Sequence, residues 1–336
     1  TGSANAGTFN KGFYDTLVLT NHAEMVVKSD LIMGTHGTTS NRVVVTDNAW
    51  MTIGSLLVGR DYSLGNEVWV DGEGATLTLN GTTAYIGYPN TGGMTLKDSR
   101  LVITNGGQFV HTGASANFQV FKIDTTWAGN NATNNGILVT GPGSLLNGGT
   151  SQMNVYVGRV SYGTVSKGKS IANYLTLDDG GAATNLGSLT IGTYGETERN
   201  ALSVRNGSSL YSGSVTVGGI RDNLYVIDGG ETESVVVNSD ITIGSVGALS
   251  GMSIRHADLR SGMLKVGNSS SNNWVNVGEN VRWTLDGATI TVGTGAAVGN
   301  TLTIGEGAAM LNGGALVVGE TTAASGNRLK LSGGHL

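Results

Sequence analysis

The sequence predicts one all-β fold, a parallel β-solenoid of about eleven coils over residues 15–336, after a separate segment at residues 1–14. Three observations lead to this prediction. Glycine accounts for 55 of the 336 residues, which indicates many tight turns. Apolar and polar residues alternate in short runs, as they do in half-buried strands. These runs recur with a period of about 26 residues, and such a period is typical of repeat architectures.

The composition excludes several other classes of protein. Hydrophobic residues make up 39% of the chain, which is too many for a disordered linker. The net charge is −5 and the 19 lysines and arginines are scattered, so we expect no nucleic-acid partner. No apolar run approaches the roughly 18 residues of a membrane helix, so we expect no membrane-spanning segment. The absence of cysteine excludes disulfides and thiol catalysis.

The clearest repeated element is the end of a strand, written apolar–x–apolar–Gly. Its glycines are Gly34, Gly59, Gly87, Gly158, Gly192, Gly218, Gly244, Gly267, Gly293 and Gly319. The long interval between Gly87 and Gly158 divides in two if FVHTG, which ends at Gly113, is a degenerate copy. The chain then holds about eleven copies, and we expect each copy to end one strand of a coil.

A second element, Asn followed by alternating apolar residues, precedes most of these glycines. It begins at Asn41, Asn66, Asn173, Asn200, Asn223 and Asn300. Two copies are expected to begin with Gly-Met instead, at Gly93 and Gly251. Asparagine tolerates left-handed backbone and can bond its carboxamide to the asparagine one coil away, so we expect a ladder at this corner. Ligand binding is the less favoured explanation, because the residue recurs at most corners.

A single unit of this length cannot bury its own apolar face, whereas stacked units can. We therefore expect inward side chains to form columns along the rod. One expected pair of columns contains Leu189 and Ile191, then Val215 and Val217, then Ile241 and Ile243. At about 4.8 Å per coil, eleven coils make a rod about 50 Å long.

The unit N-x-φ-x-φ…G-x-φ-x-x-G-x-φ-x-φ-G, in which φ is apolar, resembles the autotransporter-associated β-strand repeat, also called the passenger-associated transport repeat. The resemblance covers residues 15–336 except for an aberrant stretch at about 105–172. It implies a right-handed parallel β-helix, export to the bacterial surface, and an adhesive or structural role.

Polysaccharide lyases and hydrolases also use parallel β-helices, and they need carboxylates clustered on one face. Acids do occur in pairs at turns, namely Asp71 with Glu73, Asp178 with Asp179, and Asp228 with Glu231. However, the coil between the last two pairs carries Arg205 and Asn206 at the equivalent turn, so these acids read as solvated turn residues. The five histidines have no metal-ligand spacing. We therefore expect no catalytic residue, no metal and no cofactor.

Two stretches depart from the period, at residues 105–135 and 159–172, and insertions in repeats often form the binding face. They supply the candidate contact residues Phe118, Phe121, Trp127, Tyr162, Lys167 and Lys169. If these side chains are exposed, aromatic rings beside a small basic loop suit carbohydrate or lateral protein contacts. The alternative is that the aromatic rings pack the first insertion onto the rod.

The ends of the repeat array supply a second set of candidates. A solenoid leaves open strand edges and an apolar cross-section at each end. The sequence NRLKLSGGHL resembles the beginning of a twelfth coil, and residues 1–14 have no repeat assignment. The candidate end-to-end contacts are Phe9, Phe13, Tyr14, Leu329, Leu331 and Leu336. The N-terminal segment of one copy would complete the last coil of the next, which yields fibres. The equally weighted alternative is that the chain continues beyond the sequence given.

The sequence thus favours a non-catalytic structural protein of the bacterial surface or extracellular matrix that associates with itself head to tail. The second reading is a surface adhesin that binds carbohydrate or protein through residues 105–172. The third and least favoured reading is a polysaccharide-processing enzyme.

Overall fold

The computed structural model describes the chain apart from residues 1, 5–6, 10–12, 36, 90–92, 115–116, 124–129, 161–167 and 194–195. The strands are β1 Gly2–Ala4, β2 Gly7–Phe9, β3 Thr16–Leu19, β4 Glu24–Met33, β5 Arg42–Thr46, β6 Trp50–Arg60, β7 Glu67–Asp71, β8 Thr76–Tyr88, β9 Thr95–Lys97, β10 Arg100–Thr104, β11 Gln108–His111, β12 Asn117–Ile123, β13 Asn131–Thr133, β14 Gly136–Thr140, β15 Leu145–Asn147, β16 Met153–Val160, β17 Lys169–Ile171, β18 Tyr174–Asp178, β19 Ala182–Thr193, β20 Glu196–Glu198, β21 Ala201–Arg205, β22 Ser209–Ser212, β23 Val215–Gly219, β24 Leu224–Asp228, β25 Ser234–Val237, β26 Ile241–Gly247, β27 Gly251–Arg255, β28 Ala257–Arg260, β29 Leu264–Asn268, β30 Trp274–Val277, β31 Val281–Thr284, β32 Ile290–Thr294, β33 Thr301–Gly305, β34 Ala308–Leu311, β35 Leu316–Val318 and β36 Arg328–Ser332.

Each coil contributes one strand to each of three faces, and the pairings between the named strands are parallel. The first face is a 12-stranded sheet in the order β3-β5-β7-β10-β14-β18-β21-β24-β27-β30-β33-β36. The second and third faces belong to one 20-stranded sheet, because β4, β6, β8 and β19 each run through the corner between them. This all-β arrangement of about eleven stacked coils confirms the predicted β-solenoid.

The register along the third face is the predicted one. Leu189 and Ile191 of β19 align with Val215 and Val217 of β23. The next strand continues both columns with Ile241 and Ile243. Inward residues of all three faces form one apolar cluster that runs from Leu19 to Met310. Full burial of such side chains stabilises the fold by about 1.5–3 kcal/mol each, so the stacked columns are the main source of stability.

The predicted asparagine ladder is present at the corner that precedes the first face. In each rung the carboxamide Nδ2 donates to the Oδ1 of the asparagine one coil later. The rungs are Asn41–Asn66, Asn135–Asn173, Asn173–Asn200, Asn200–Asn223, Asn273–Asn300 and Asn300–Asn327, at 2.8–3.2 Å. Most of these side chains are fully buried, so each carboxamide satisfies polar groups that would otherwise be costly to bury.

The glycine near the end of most third-face strands makes room for this ladder. Gly244 has φ +80°, and a Cβ there would lie 2.2 Å from the carboxamide carbon of Asn273. Gly267 has the same relation to Asn300, at 2.4 Å. The two repeated elements of the sequence are therefore parts of one contact, since the asparagine of a later coil fills the space left by the missing glycine side chain.

Two details of the predicted repeat are wrong. FVHTG is counted in the sequence as a degenerate copy of the apolar–x–apolar–Gly element, whose other copies lie on the third face, but Phe109 and His111 lie in β11 on the second face. Gly93 does not begin a first-face strand either, because the strand of that coil is β10 and the residue before it, Ser99, takes the ladder position. Ser250 takes the same position before β27, which does begin at Gly251. Serine is too short to donate to the next rung, so the ladder is interrupted at both sites.

Candidate interaction surfaces

The C-terminal end of the described rod is apolar and open. Leu316 and Val318 occupy the columns of Ile290 and Val292, one coil earlier. Ile290 and Val292 are 2% and 0% exposed, whereas Leu316 and Val318 are 40% and 43% exposed. The candidate residues Leu331 and Leu336 are similarly exposed, at 55% and 49%. Inward positions of the last described coil are thus uncovered, which makes this end a candidate interaction surface.

The candidate residue Leu329 is more protected. It follows the column of Leu302 in β33 and is partly buried against the apolar cluster. His335 continues the coil onto the second face, where its backbone bonds to Ala308 and Met310 of β34. Residues after β36 therefore cover the beginning of β34, while β35 pairs with β32 alone among the described strands.

The N-terminal end is covered by the first residues of the chain. Strand β1 pairs in parallel with Met25–Val27 of β4 on the second face. Strand β2 pairs with Leu31–Met33 on the third face. The inward side chains Leu31 and Met33 are consequently fully buried. The segment 1–14, which had no repeat assignment in the sequence, thus places two strands in the pattern of a preceding coil.

The aromatic candidates at this end lie in different settings. Phe13 and Tyr14 are 63% and 76% exposed, and Tyr14 is bound to the rod through its backbone N–H, which donates to the carbonyl of Thr39. Phe9 is the last residue of β2, aligned with Met33, and the structure describes its backbone alone.

The aberrant stretch, which departs from the 26-residue period, nevertheless contains regular strands of the solenoid. Within residues 105–135, β11 and β12 are regular second-face and third-face strands. Beyond them, β9, β13, β17 and β20 form a separate four-stranded sheet. The coil lengthens in this region because an extra strand follows the third face.

The candidate contact residues of this stretch are only partly described. Phe118 and Phe121 lie in β12, of which the backbone alone is described. Trp127, Tyr162 and Lys167 lie outside the described residues. Lys169 begins β17, is exposed, and forms an ion pair with Glu196 at 3.0 Å.

The acidic turns do not form a carboxylate cluster. On the first face Asp228 is aligned with Arg205 on one side and Arg255 on the other. Arg255 pairs with Asp228 at 2.6 Å. Asp178 accepts a hydrogen bond from the Asn206 carboxamide at 2.7 Å. Among the described residues, no group of three or more His, Asp or Glu side chains is arranged to hold a metal ion.

One polar cluster was not anticipated from the sequence. Glu67 on the first face bonds to Arg42 at 2.6 Å, Arg100 at 2.6 Å and Trp69 Nε1 at 2.8 Å. Burial alone raises the pKa of Glu67, but the hydrogen bond from Trp69, the charge and hydrogen bond of Arg100, and the hydrogen bond from Arg42 hold it below its usual value. The three charged residues are aligned in successive coils, so they join coils together.

A groove on the third face was also not anticipated. It has a volume of about 320 Å³ and is lined by Tyr156, Arg159, Thr190, Thr193, Thr216, Ser245 and Val246. Gly218 makes room for one of the lining residues, because a Cβ at this position would lie 2.4 Å from Ser245 Oγ. The sequence signal for this groove was the glycine pair in VTVGG, where other copies have a single glycine.

No helix that could span a membrane is found in the described part of the chain, which consists of strands and their connections.

Comparisons with known proteins give little further information. No family model matches the chain, and no curated protein matches it. Among solved structures, the chain is similar to the crystal structure of the TibC-catalyzed hyper-glycosylated TibA55-350 fragment. The identity is 17%, the match covers 89% of this chain and 99% of that chain, and the TM-score is 0.24. A likeness at this level carries no argument, so the solenoid is established by the strand pairing itself.

Proposed function

We propose that this chain is a non-catalytic structural protein of the bacterial surface or extracellular matrix, a stiff rod that associates head to tail with other copies. The observation that carries the proposal is the exposed apolar cross-section at Leu316, Val318 and Leu331. The location at the bacterial surface is supported by the resemblance of the repeat to the autotransporter-associated β-strand repeat, which occurs in surface-displayed bacterial proteins.

The strand positions at the two ends are complementary. At the C-terminal end β36 is outermost on the first face, and β35 is outermost on the third face. At the N-terminal end β1 and β2 are outermost on the second and third faces, beyond β4. A second copy stacked by its N-terminal end would therefore place β2 on β35 and β3 on β36. The junction would then have the parallel pairing that joins coils within one chain.

The columns also match at this junction. Gly7 and Phe9 of β2 are aligned with Leu31 and Met33. Following the register from coil to coil along the third face, those two columns end at Leu316 and Val318. A stacked second copy would place Gly7 above Leu316 and Phe9 above Val318. It would remove both apolar side chains from water, at about 25 cal/mol per Å² of apolar area.

The experiment is a charge substitution at the open end of the 336-residue chain. Leu316→Lys combined with Val318→Lys should abolish association, because two buried ammonium groups without partners would be costly. The matched control is Val235→Lys with Ile220→Lys, since these residues are 39% and 43% exposed but lie in coils away from both ends. Sedimentation velocity over a range of concentrations and negative-stain microscopy measure the length of the particles.

We expect the unsubstituted chain and the control to form end-to-end filaments, and the Leu316/Val318 variant to remain as single rods. Circular dichroism checks that each variant retains its β structure. Single rods of the unsubstituted chain at every concentration would contradict the proposal. Equal loss of filaments in the control would also contradict it, because the contact would then not lie at the end.

A further inference from the structure

The third face differs in charge from the rest of the rod. The chain carries 24 acidic residues, yet six successive strands that contribute to this face, β16, β19, β23, β26, β29 and β32, contain no Asp or Glu. The same strands contain the cations Arg159 and Lys265. A protein with net charge −5 therefore presents a face whose strands carry positive charge and neutral hydroxyl groups. Such a face attracts anions rather than cations.

Hydroxyl groups form a column along this face. Tyr156 is aligned with Thr190, Thr190 with Thr216, and Thr216 with Thr242. Lys265 follows Thr242 in the same column. Coils are about 4.8 Å apart, so the column offers a regular series of hydrogen-bonding groups to an extended ligand.

The groove lies at one end of this column and contains a preformed cation. The guanidinium carbon of Arg159 lies 4.6 Å from the ring centroid of Tyr156, a cation–π contact that holds the side chain over the ring. No acidic side chain in the described part of the chain forms an ion pair with Arg159. Its hydrogen-bonding fork is thus available to an external carboxylate.

Two hydroxyl groups in the groove need a partner. Thr193 is aligned with Arg159 in the next coil and is only 8% exposed. Its Oγ1 and the Oγ of Ser245 are both buried, and neither has a hydrogen-bond partner among the described residues. A buried hydroxyl without a partner costs about 1–3 kcal/mol, so these groups indicate a polar ligand at this place.

We infer that the third face binds an acidic polysaccharide, with one carboxylate held by Arg159 and with sugar hydroxyls bonded to Thr193, Ser245 and the threonine column. Gly218 makes room for the Ser245 side chain, which lines the groove. The low density of cations argues against nucleic acid, which carries a phosphate on every nucleotide and is held by many lysines and arginines. This inference does not depend on end-to-end association, because the groove lies in the middle of the rod.

The test uses polygalacturonate as the probe, with fully methyl-esterified polygalacturonate as the uncharged polymer of the same backbone. Calorimetric titration should show saturable binding of polygalacturonate and binding at least about tenfold weaker for the ester. Arg159→Gln should weaken polygalacturonate binding about tenfold, and Thr193→Val and Ser245→Ala should each weaken it several-fold. The control Arg282→Gln removes an exposed arginine from the second face and should have no effect.

Several results would overturn the inference. If the unsubstituted chain shows no saturable binding of polygalacturonate, the inference is wrong. It is also wrong if the chain binds polygalacturonate and its methyl ester equally well, because the carboxylate is then not recognised. An equal loss on Arg282→Gln shows non-specific attraction. If a single-stranded oligodeoxythymidine binds as tightly and with the same dependence on Arg159, the groove is a general polyanion site. Thermal unfolding of each variant separates a lost contact from a lost fold.

Discussion

The two ends of the rod carry the same repeat but differ in how their inward side chains are covered. At the N-terminal end β1 and β2 bury Leu31 and Met33 completely. At the C-terminal end Leu316 and Val318, in the same columns, are 40% and 43% exposed. Burial in a solenoid is therefore a property of the neighbouring coil rather than of the residue. An apolar residue in this pattern stabilises the fold only when a further layer lies on it.

The largest expected effect tests this dependence directly. Ile290→Ala, at a position 2% exposed, should cost about 2–5 kcal/mol because it leaves a cavity between two coils. Leu316→Ala, at the next position of the same column, should cost about 1 kcal/mol or less, since water already reaches it. The free energies of unfolding come from urea titrations at a protein concentration too low for association.

Equal losses for the two variants under these conditions would contradict the comparison. A cost of Leu316→Ala that rises with protein concentration would instead show that another molecule covers the last coil, because binding to the folded state stabilises it.

The sequence predicted the strands of the regular coils well, and it predicted those of the irregular coils poorly. Alternation and the recurring glycine located the third-face strands, because most of these glycines lie against an asparagine of a later coil and leave no room for a side chain. The assignment of FVHTG failed because β12, the true third-face strand of that coil, lacks the terminal glycine. Asn135 and Asn273 were overlooked, although they occupy ladder positions.

The groove was harder to predict for a physical reason. Tyr156, Thr193 and Ser245 belong to three different coils, and their proximity depends on the register between strands of unequal length. The sequence does show that the third-face strands from β16 to β32 lack Asp and Glu, but this pattern emerges only after the strands have been assigned to faces.

A second prediction concerns the ladder, which an interior glycine such as Gly244 contacts and Gly319 of the last coil does not. Gly244→Ala should cost about 3 kcal/mol, because the new methyl group collides with Asn273 and disturbs its hydrogen bonds. Gly319→Ala should cost only about 1 kcal/mol. Gly319 has nearly the same φ, +74° against +80°, but no atom lies within 4 Å of its added Cβ. Urea unfolding again measures both.

The difference between these two glycine variants isolates the contact with asparagine, since the backbone strain is shared. If Gly319→Ala lowers the free energy of unfolding as much as Gly244→Ala does, the positive φ alone explains why glycine recurs at this position of the repeat. The contact with the asparagine ladder then contributes little to stability.

A third prediction concerns charge, which joins successive coils near the N-terminal end. Arg42, Glu67 and Arg100 are aligned on the first face, whereas the column near the other end contains Trp274, Thr301 and Arg328. The pKa of Glu67 is lowered in the folded chain, so its contribution to stability is present at neutral pH. That contribution is lost as the pH falls below about 4.5 and through the lowered pKa.

Glu67→Gln should therefore lower the free energy of unfolding at pH 7 by about 1 kcal/mol, measured by urea titration. The variant should also lose less of its free energy of unfolding than the unsubstituted chain when the pH is lowered from 7 to 3. The control Glu233→Gln changes an exposed carboxyl group and should leave both values nearly unchanged. Identical pH profiles for the Glu67 variant and the unsubstituted chain would show that this cluster does not stabilise the N-terminal coils.

The smallest expected effect comes from an ion pair that lies outside the three main faces. Lys169 and Glu196 are half exposed, at 54% and 46%, and their contact joins β17 to β20 in the small sheet. Lys169→Ala should change the free energy of unfolding by less than about 0.5 kcal/mol, because solvent screens the pair and both side chains lose freedom on forming it. A loss above about 1 kcal/mol would contradict this expectation, because it would show that solvent does not screen the pair. A stability near that of the unsubstituted chain would leave Lys169 free to be tested as a contact residue, since any change in polygalacturonate binding would then reflect the lost ammonium group rather than a weakened fold.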